Sequence, residues 1–270
     1  MKPVFSLAQL TALDVPPPDM VSLAHRTGYD YAGVRLLPAA PGGAAYPLMN
    51  DPAMLRETIA RMEDTGTRIF DLEMIRVGEG FKAEAFLPFL ETGAKLGAKA
   101  MLVAGDDANE ERMTESYASL CDLAWKYGIT SDLEFMPWTA VKDLASALRI
   151  VRGANRPGCG ILVDVLHFAR SGSKLEDLDG IPREWLHYAQ MCDGPAKGPD
   201  TVQGLIDAAR GDRLLPGEGE LDIAAIFSRL PADLPISMEI PSDRRYPVLG
   251  ADRWAADVLA AGQATARTFR

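Results

Sequence analysis

Polar side chains follow four apolar runs in the second half of the chain, one at the end of each run. These side chains are Glu134, Asp164, Gln190 and Glu239. Side-chain oxygens that converge on one point are the ligands that hard divalent cations prefer. Without a cation, three carboxylates brought together would repel one another, and one would have to bind a proton. The pattern therefore predicts a divalent-metal site, although each residue taken alone is as typical of a solvated loop.

The elements that would position these residues alternate along the whole chain. Short apolar runs, predicted as strands, are separated by amphipathic helical patterns. The predicted strands cover residues 4–8, 29–36, 68–73, 100–104, 129–135, 160–165, 186–192 and 235–240. Between the second and third strands, a helix is predicted to begin at Pro52, capped by Asp51, and to end before Gly66. Residues 193–220 break the alternation and are predicted to form a long loop.

Eight strand–helix units define the predicted fold class. Strict alternation implies parallel strands joined by right-handed crossovers, and eight units in roughly 250 residues match the size of a (β/α)₈ barrel. An open, doubly wound sheet is the alternative, but the sequence has neither a G-x-G-x-x-G first turn nor a phosphate-binding G-x-x-x-x-G-K-[ST] loop. We therefore predict an α/β protein, a single TIM barrel over residues 1–270, with its active site at the carboxyl ends of the parallel strands.

The composition argues against several classes of protein. Of the 270 residues, 47% are hydrophobic and 24% are charged, which is typical of a globular domain and not of a disordered chain. A net charge of −10 argues against a nucleic-acid partner. The three cysteines form no C-x-x-C pair, and neither a signal peptide nor a run of about 18 apolar residues is evident. These observations predict a cytoplasmic protein with no membrane partner.

Four short motifs in a fixed order suggest a family. They are LEFMP at 133–137, DVLH at 164–167, QMCD at 190–193 and PGEG at 216–219, followed by Glu239. Together they resemble the sugar phosphate isomerase/epimerase group of the xylose isomerase-like TIM barrels. The resemblance extends over essentially the whole chain and is concentrated after residue 130. It implies the barrel fold already predicted and an enzyme that acts on a small carbohydrate.

The resemblance also implies a ligand set for the metal. Glu134, Asp164, Gln190 and Glu239 occupy the four ligand positions, and many members of the family have histidine where this chain has Gln190. An amide oxygen is neutral and a weaker ligand than imidazole for transition metals. We therefore expect Mn²⁺ or Mg²⁺ as the cofactor, with Co²⁺ or Zn²⁺ as alternatives. A weakly metallated or metal-free site is a further alternative.

The two glutamates of that set are implied to transfer protons as well. A base next to a carbonyl and an electrophile on the forming enediolate oxygen are what proton abstraction requires. Glu134 and Glu239 would then act on the two faces of the substrate, which predicts an isomerase or epimerase of a keto-sugar or related polyhydroxy carbonyl compound. Loss of a β-hydroxyl or glycosidic oxygen from the same intermediate would give a metal-dependent lyase or dehydratase. His167 is implied to contact the substrate or to orient the metal ligands, and packing is its alternative role.

Four other residues are candidate substrate contacts. Arg213 and Arg170 could bind a carbohydrate or a carboxylate, although salt bridges to nearby acids are the alternative. Glu73 ends the third predicted strand, and Trp138 could stack on a sugar or simply pack under a loop. By analogy, a homo-oligomer is an open option.

Two rival functions complete the expectations. An endonuclease of the same superfamily would assemble several zinc ions from many histidines, and this chain has only three. A barrel that kept the shape but lost its chemistry is the other rival, and Gln190 in place of histidine is the feature that supports it.

Overall fold

A computed structural model describes residues 3–40 and 42–269. In this part of the chain, eight parallel strands form a closed barrel in sequence order, and the first strand pairs with the last. The strands are β1 (Phe5–Leu7), β2 (Tyr31–Arg35), β3 (Arg68–Val77), β4 (Ala100–Gly105), β5 (Thr130–Glu134), β6 (Cys159–Asp164), β7 (Ala189–Met191) and β8 (Ile236–Met238). The predicted TIM barrel is confirmed. That all of 1–270 forms one domain stays a prediction.

Helices follow the strands and surround the barrel. They are α1 (Pro17–Thr27), α2 (Pro52–Thr65), α3 (Leu87–Leu96), α4 (Glu110–Trp125), α5 (Leu144–Ala154), α6 (Val165–Arg170), α7 (Val202–Gly211), α8 (Ile223–Ser228) and α9 (Tyr246–Ala266). The ends of α2 are as predicted: the Asp51 carboxylate accepts the backbone N–H groups of Ala53 and Met54, and Gly66 ends the helix at φ 78°. No helix in the described residues is long and apolar enough to cross a membrane.

The core has two layers because strand side chains alternate between the two faces of the barrel wall. Met101 and Val103 of β4 pack outward with the helices. Leu102 and Ala104 of the same strand pack in a smaller cluster inside the barrel, with Phe70 among their neighbours. Polar side chains also lie inside the barrel. Those at the carboxyl ends of the strands can reach a ligand, whereas several of those deeper in the barrel pair with one another.

Two differences between the predicted and observed elements affect the candidate site. β3 continues to Val77, four residues past its predicted end, so it carries Arg76 into the barrel mouth. The predicted loop 193–220 contains α7, which the Thr201 hydroxyl caps by accepting the N–H of Gly204. The extension of β3 was not predicted because apolar and polar residues alternate there. Helix α7 was not predicted because glycines and prolines flank it within 193–220.

A candidate active site at the carboxyl ends of the strands

A cavity of about 190 Å³ opens at the carboxyl ends of the strands. Its lining includes Glu134, Met136, Trp138, His167, Arg213 and Glu239. The position of the cavity agrees with the general rule for parallel barrels, whose sites lie at this end. Most of the polar side chains in and beneath it are nearly or fully buried, so their charges interact with little screening by water.

Glu134 is the last residue of β5 and has 3% of its surface exposed. Its Oε1 atom has no hydrogen-bond partner, and the Nε2 atom of His167 lies 3.7 Å from it. Burial raises the pKa of Glu134 well above its ordinary range, and the charges of Glu239 and Asp164 raise it further. The protein alone therefore leaves this carboxylate without the partner that its charge requires.

Arg213 joins two other carboxylates of the site. Its Nη1 lies 2.6 Å from Asp164 Oδ2, and its Nη2 lies 2.8 Å from Glu239 Oε2. The guanidinium is itself held by the carbonyl of Ala209, which accepts from Nε at 2.8 Å. Burial opposes ionisation of Asp164, but the Arg213 charge, the interaction with His167 and the hydrogen bonds from these two residues together outweigh it and lower the pKa of that carboxyl. Burial raises the pKa of Glu239 to about 7, although Arg213 opposes the shift.

Gln190 completes the set of strand-end oxygens beneath the cavity. Its amide Nε2 donates to Glu239 Oε1 at 3.1 Å, and its own Oε1 has no partner. The amide is fully buried in β7. A buried acceptor without a donor is costly to maintain, so this oxygen is available to a ligand.

His167 lies in α6, the short helix that follows β6. The Asp164 carboxylate caps this helix by accepting the backbone N–H of His167 at 2.9 Å. The imidazole meets Trp138 edge-on at 5.0 Å between ring centroids, and its Nδ1 has no partner. Burial lowers the pKa of His167 to about 4. The ring is therefore neutral at pH 7 and able to act as a metal ligand or a hydrogen-bond partner.

The cluster fits a divalent cation on its own chemistry. One ligand atom from each of Glu134, Asp164 and His167 lies within 4.8 Å of the others. Three carboxyl groups, counting Glu239, lie around the Arg213 guanidinium, and the raised pKa values of Glu134 and Glu239 show that this one cation does not fully compensate their negative charges. The unpaired oxygens of Glu134 and Gln190 are the donor atoms that Mg²⁺ or Mn²⁺ would take.

The structure brings most of the candidate site residues together. Trp138 lines the cavity, whereas Glu73 is fully buried and its carboxylate forms an ion pair with Arg35, which does line the cavity. Arg213 lines the cavity, but its charge is paired with two carboxylates. Arg170 is not brought to the site: its guanidinium donates to the carbonyls of Pro195 and Ala196.

Three arginines that sequence reasoning did not select also line the cavity. They are Arg35 at the end of β2, Arg76 in β3 and Arg210 in α7. The position of Arg35 directly after an apolar run was a usable signal. Arg76 lay beyond the predicted end of β3, and Arg210 lay in a segment predicted to be a loop.

Comparisons with known proteins agree with this architecture. A family model described as xylose isomerase-like TIM barrel matches residues 21–264. A 3-dehydroshikimate dehydratase of Pseudomonas putida is 25% identical over 208 residues, which is 71% of this chain and 32% of the dehydratase. An inosose isomerase of Bacillus licheniformis is 32% identical over 161 residues, or 54% of each chain. The chain thus spans about a third to about half of the length of these curated relatives.

The solved structures give the same fold. The crystal structure of an IolI protein with a bound zinc atom has a TM-score of 0.80 and 21% identity, and the match covers 100% of this chain and 99% of that one. A D-allulose 3-epimerase of Methylomonas in complex with D-allulose has a TM-score of 0.70 and 16% identity, over 98% and 97% of the two chains.

Proposed function

The chain belongs to the xylose isomerase-like TIM barrel family, and from this we propose that it is a divalent-metal-dependent isomerase or epimerase. Its substrate would be a keto-sugar or a related polyhydroxy carbonyl compound. One observation carries the proposal: the buried carboxylates Glu134 and Glu239 line one cavity from strands that are three places apart around the barrel. Two carboxyl groups at different sides of a bound substrate are what proton removal and return require.

The relatives support the proposal in two respects. Inosose isomerases are among the similar curated proteins, and a D-allulose 3-epimerase shares the fold, so small sugar-like substrates suit this architecture. The zinc atom bound in the IolI structure supports a metal cofactor for this chain. Neither likeness selects the substrate of this chain.

Glu134, Asp164, Gln190 and Glu239 would hold the metal ion, and His167, which has a ring nitrogen within 4.8 Å of oxygens of Glu134 and Asp164, would join them. When bound, a divalent ion polarises the carbonyl and hydroxyl oxygens of the substrate and stabilises the enediolate. Arg213 fixes the carboxylates of Asp164 and Glu239 in place through its two ion pairs. This arrangement orients two of the four side chains before any substrate arrives.

The proton transfers belong to the glutamates. One carboxylate, Glu134 or Glu239, removes the proton from the carbon next to the carbonyl. Return of a proton to that carbon by the other carboxylate, from the opposite face, inverts its configuration and gives an epimer. Return to the former carbonyl carbon instead gives an isomer. The neutral imidazole of His167 is suited to accept from or donate to a substrate hydroxyl.

A lyase is the second candidate function. The similar dehydratase of Pseudomonas putida is the observation that favours it. The same proton abstraction would be followed by departure of the β-hydroxyl group as water, and the product would be an α,β-unsaturated carbonyl compound. The two functions share Glu134 and Glu239 and differ only in the step after deprotonation.

Metal binding and proton exchange test the proposal together. We expect chelator-free protein to bind about one equivalent of Mn²⁺ in a titration followed by electron paramagnetic resonance. In deuterated water, the Mn²⁺ form should introduce deuterium into a ketose next to its carbonyl, measured by NMR over a panel of ketoses and keto-polyols. Glu134→Gln and Glu239→Gln should each slow exchange by about 10²–10⁴-fold. An unsaturated product would favour the lyase.

Glu110→Gln is the matched control, because Glu110 is exposed on α4, is paired with Arg149 and does not line the cavity. It should leave both metal binding and exchange unchanged. Protein that binds no added Mn²⁺, or exchange that continues at the wild-type rate in both active-site variants, would overturn the proposal.

A further inference from the structure

The cavity holds a second cluster of charge besides its acidic centre. The guanidinium groups of Arg35, Arg76 and Arg210 all line it. They come from β2, β3 and α7, so three separate elements bring positive charge to one space. Like charges in a shared cavity repel, and a fold keeps such an arrangement at a cost unless something negative binds there.

Two of the three arginines are neutralised by the protein. Arg35 is buried and forms an ion pair with Glu73. Arg76 is half-buried, with its Nη1 2.6 Å from Asp106 Oδ2 and its Nη2 donating to the carbonyl of Ala39 at 3.1 Å. Each of these guanidinium groups retains N–H donors beyond those used by its carboxylate, since a guanidinium has five.

Arg210 is the third, and it has no ion pair within residues 3–40 and 42–269. It also borders an adjoining cavity that contains Asp14 and Asp243, yet it pairs with neither. Partial burial lowers the pKa of Arg210, and the charges of Arg76 and Arg35 lower it further, by more than the Asp207 charge raises it. One positive charge in this cluster is therefore left for a ligand.

We propose that the substrate carries an anionic group, a carboxylate or a phosphate, which binds Arg210 with Arg76 and Arg35 while its carbonyl end lies at Glu134 and Glu239. The planar N–H fork of a guanidinium matches the oxygens of both groups. A sugar acid or a ketose phosphate would thus be preferred over a neutral sugar. This inference rests on the proposed function for the location of the reacting end.

Calorimetric titration with a matched series tests the preference. The probes are D-fructose, D-fructose 6-phosphate, 2-keto-D-gluconate and inorganic phosphate, each titrated into the Mn²⁺-supplemented full chain. We expect the better anionic sugar to bind at least about 10-fold more tightly than D-fructose, since charge-assisted hydrogen bonds are the stronger class. In Arg210→Gln, that advantage over D-fructose should fall below about 3-fold.

Arg149→Gln is the matched control, because Arg149 is an exposed arginine on α5 that pairs with Glu110. It should keep the full anion preference. If Arg210 serves only as a cation at the end of α7, the variant will lose thermal stability and keep the preference, which would overturn the proposal. Tighter binding of the phosphate ester or of the keto acid identifies which anion the site takes.

Two further results would overturn the inference: equal affinity for D-fructose and both anionic sugars, or no measurable binding of any anionic probe. The outcome is separable from that of the proposed function, because binding needs no turnover. An anion preference without deuterium exchange would keep this inference and remove the isomerase. Deuterium exchange without an anion preference would support the isomerase function and overturn this inference.

Discussion

Strand β5 carries two buried carboxylates, two residues apart, in opposite circumstances. Asp132 lies in the middle of the strand, where its Oδ1 is 2.6 Å from His187 Nδ1 and its Oδ2 accepts the Thr130 hydroxyl at 2.7 Å. Glu134 lies at the carboxyl end, where its Oε1 has no partner. Both side chains face the barrel interior, because Leu133 between them packs outward.

The difference teaches how one barrel separates stability from function. At Asp132 the protein supplies the counter-charge and the donors, so the pair is a structural element of the barrel. At Glu134 the charges of Glu239, Asp164 and Glu73 oppose ionisation, and the Arg213 charge favours it. A buried charge without a partner destabilises the folded state, and it persists in a site that a ligand completes. We call Asp132, His187 and Thr130 the lower group and Glu134, Asp164 and Glu239 the upper group.

Matched substitutions on the same strand give the largest expected contrast. Asp132→Asn removes the charge that His187 pairs with and should lower the free energy of unfolding by about 2–3 kcal/mol. Glu134→Gln replaces a buried carboxyl group whose Oε1 has no partner and should leave stability unchanged or raise it by about 1 kcal/mol. Urea unfolding in the presence of chelator measures both. A loss of the same size in both variants would show that the two carboxylates do not differ as described.

The sequence predicted the upper group better than the lower one. The alternating apolar and polar runs placed the strands, and a parallel barrel brings strand ends together, so Glu134, Asp164, Gln190 and Glu239 could be selected from the chain alone. The lower group depends on a pair between Asp132 and His187, which are 55 residues apart. Nothing in the local sequence of either residue indicates the other.

The arginines of the cavity show a second reason for what was missed. A strand end is the least reliable part of a predicted element, and an error of four residues in β3 removed Arg76 from consideration. Arg213 was selected as a substrate contact, but its geometry, between Asp164 and Glu239, results from how α7 packs after β7. Side-chain pairing of this kind is decided by tertiary packing and not by spacing along the chain.

A glycine next to the lower group gives the second prediction. A methyl group on Gly160 of β6 would lie closer than van der Waals contact to Asp132 Oδ1 and His187 Nδ1. Gly160→Ala should therefore lower the free energy of unfolding by about 1–3 kcal/mol, because it overpacks a closed site. The control is Gly180→Ala, where a methyl group meets nothing within 4 Å. Unchanged unfolding in Gly160→Ala would mean that the lower group is loosely packed.

The third prediction is the smallest in magnitude and concerns the pH dependence of stability. Burial opposes protonation of His187, but the Asp132 charge and its hydrogen bond outweigh burial and raise the pKa of His187 above 6.5. The folded state thus binds this proton more tightly than the unfolded state. The stabilisation is fully present below pH 6.5, the ordinary value, and is lost as the pH rises through the raised pKa. For His167 the sign is reversed, since burial lowers its pKa to about 4.

These opposite signs turn the comparison between the two groups into one experiment. Urea unfolding of wild type and His187→Gln, with chelator present, should show a stability difference that shrinks as the pH rises from about 6 to about 9. The cost of keeping His167 neutral should grow as the pH falls from 6.5 toward 4, so wild type should lose stability relative to His167→Gln over that range. Each substitution should remove the pH dependence of the free energy of unfolding that its own histidine causes, and should leave the other one unchanged. If His187→Gln removed both slopes, the two ends of the barrel would titrate as one coupled unit, and the division into a structural and a functional carboxylate on β5 would fail.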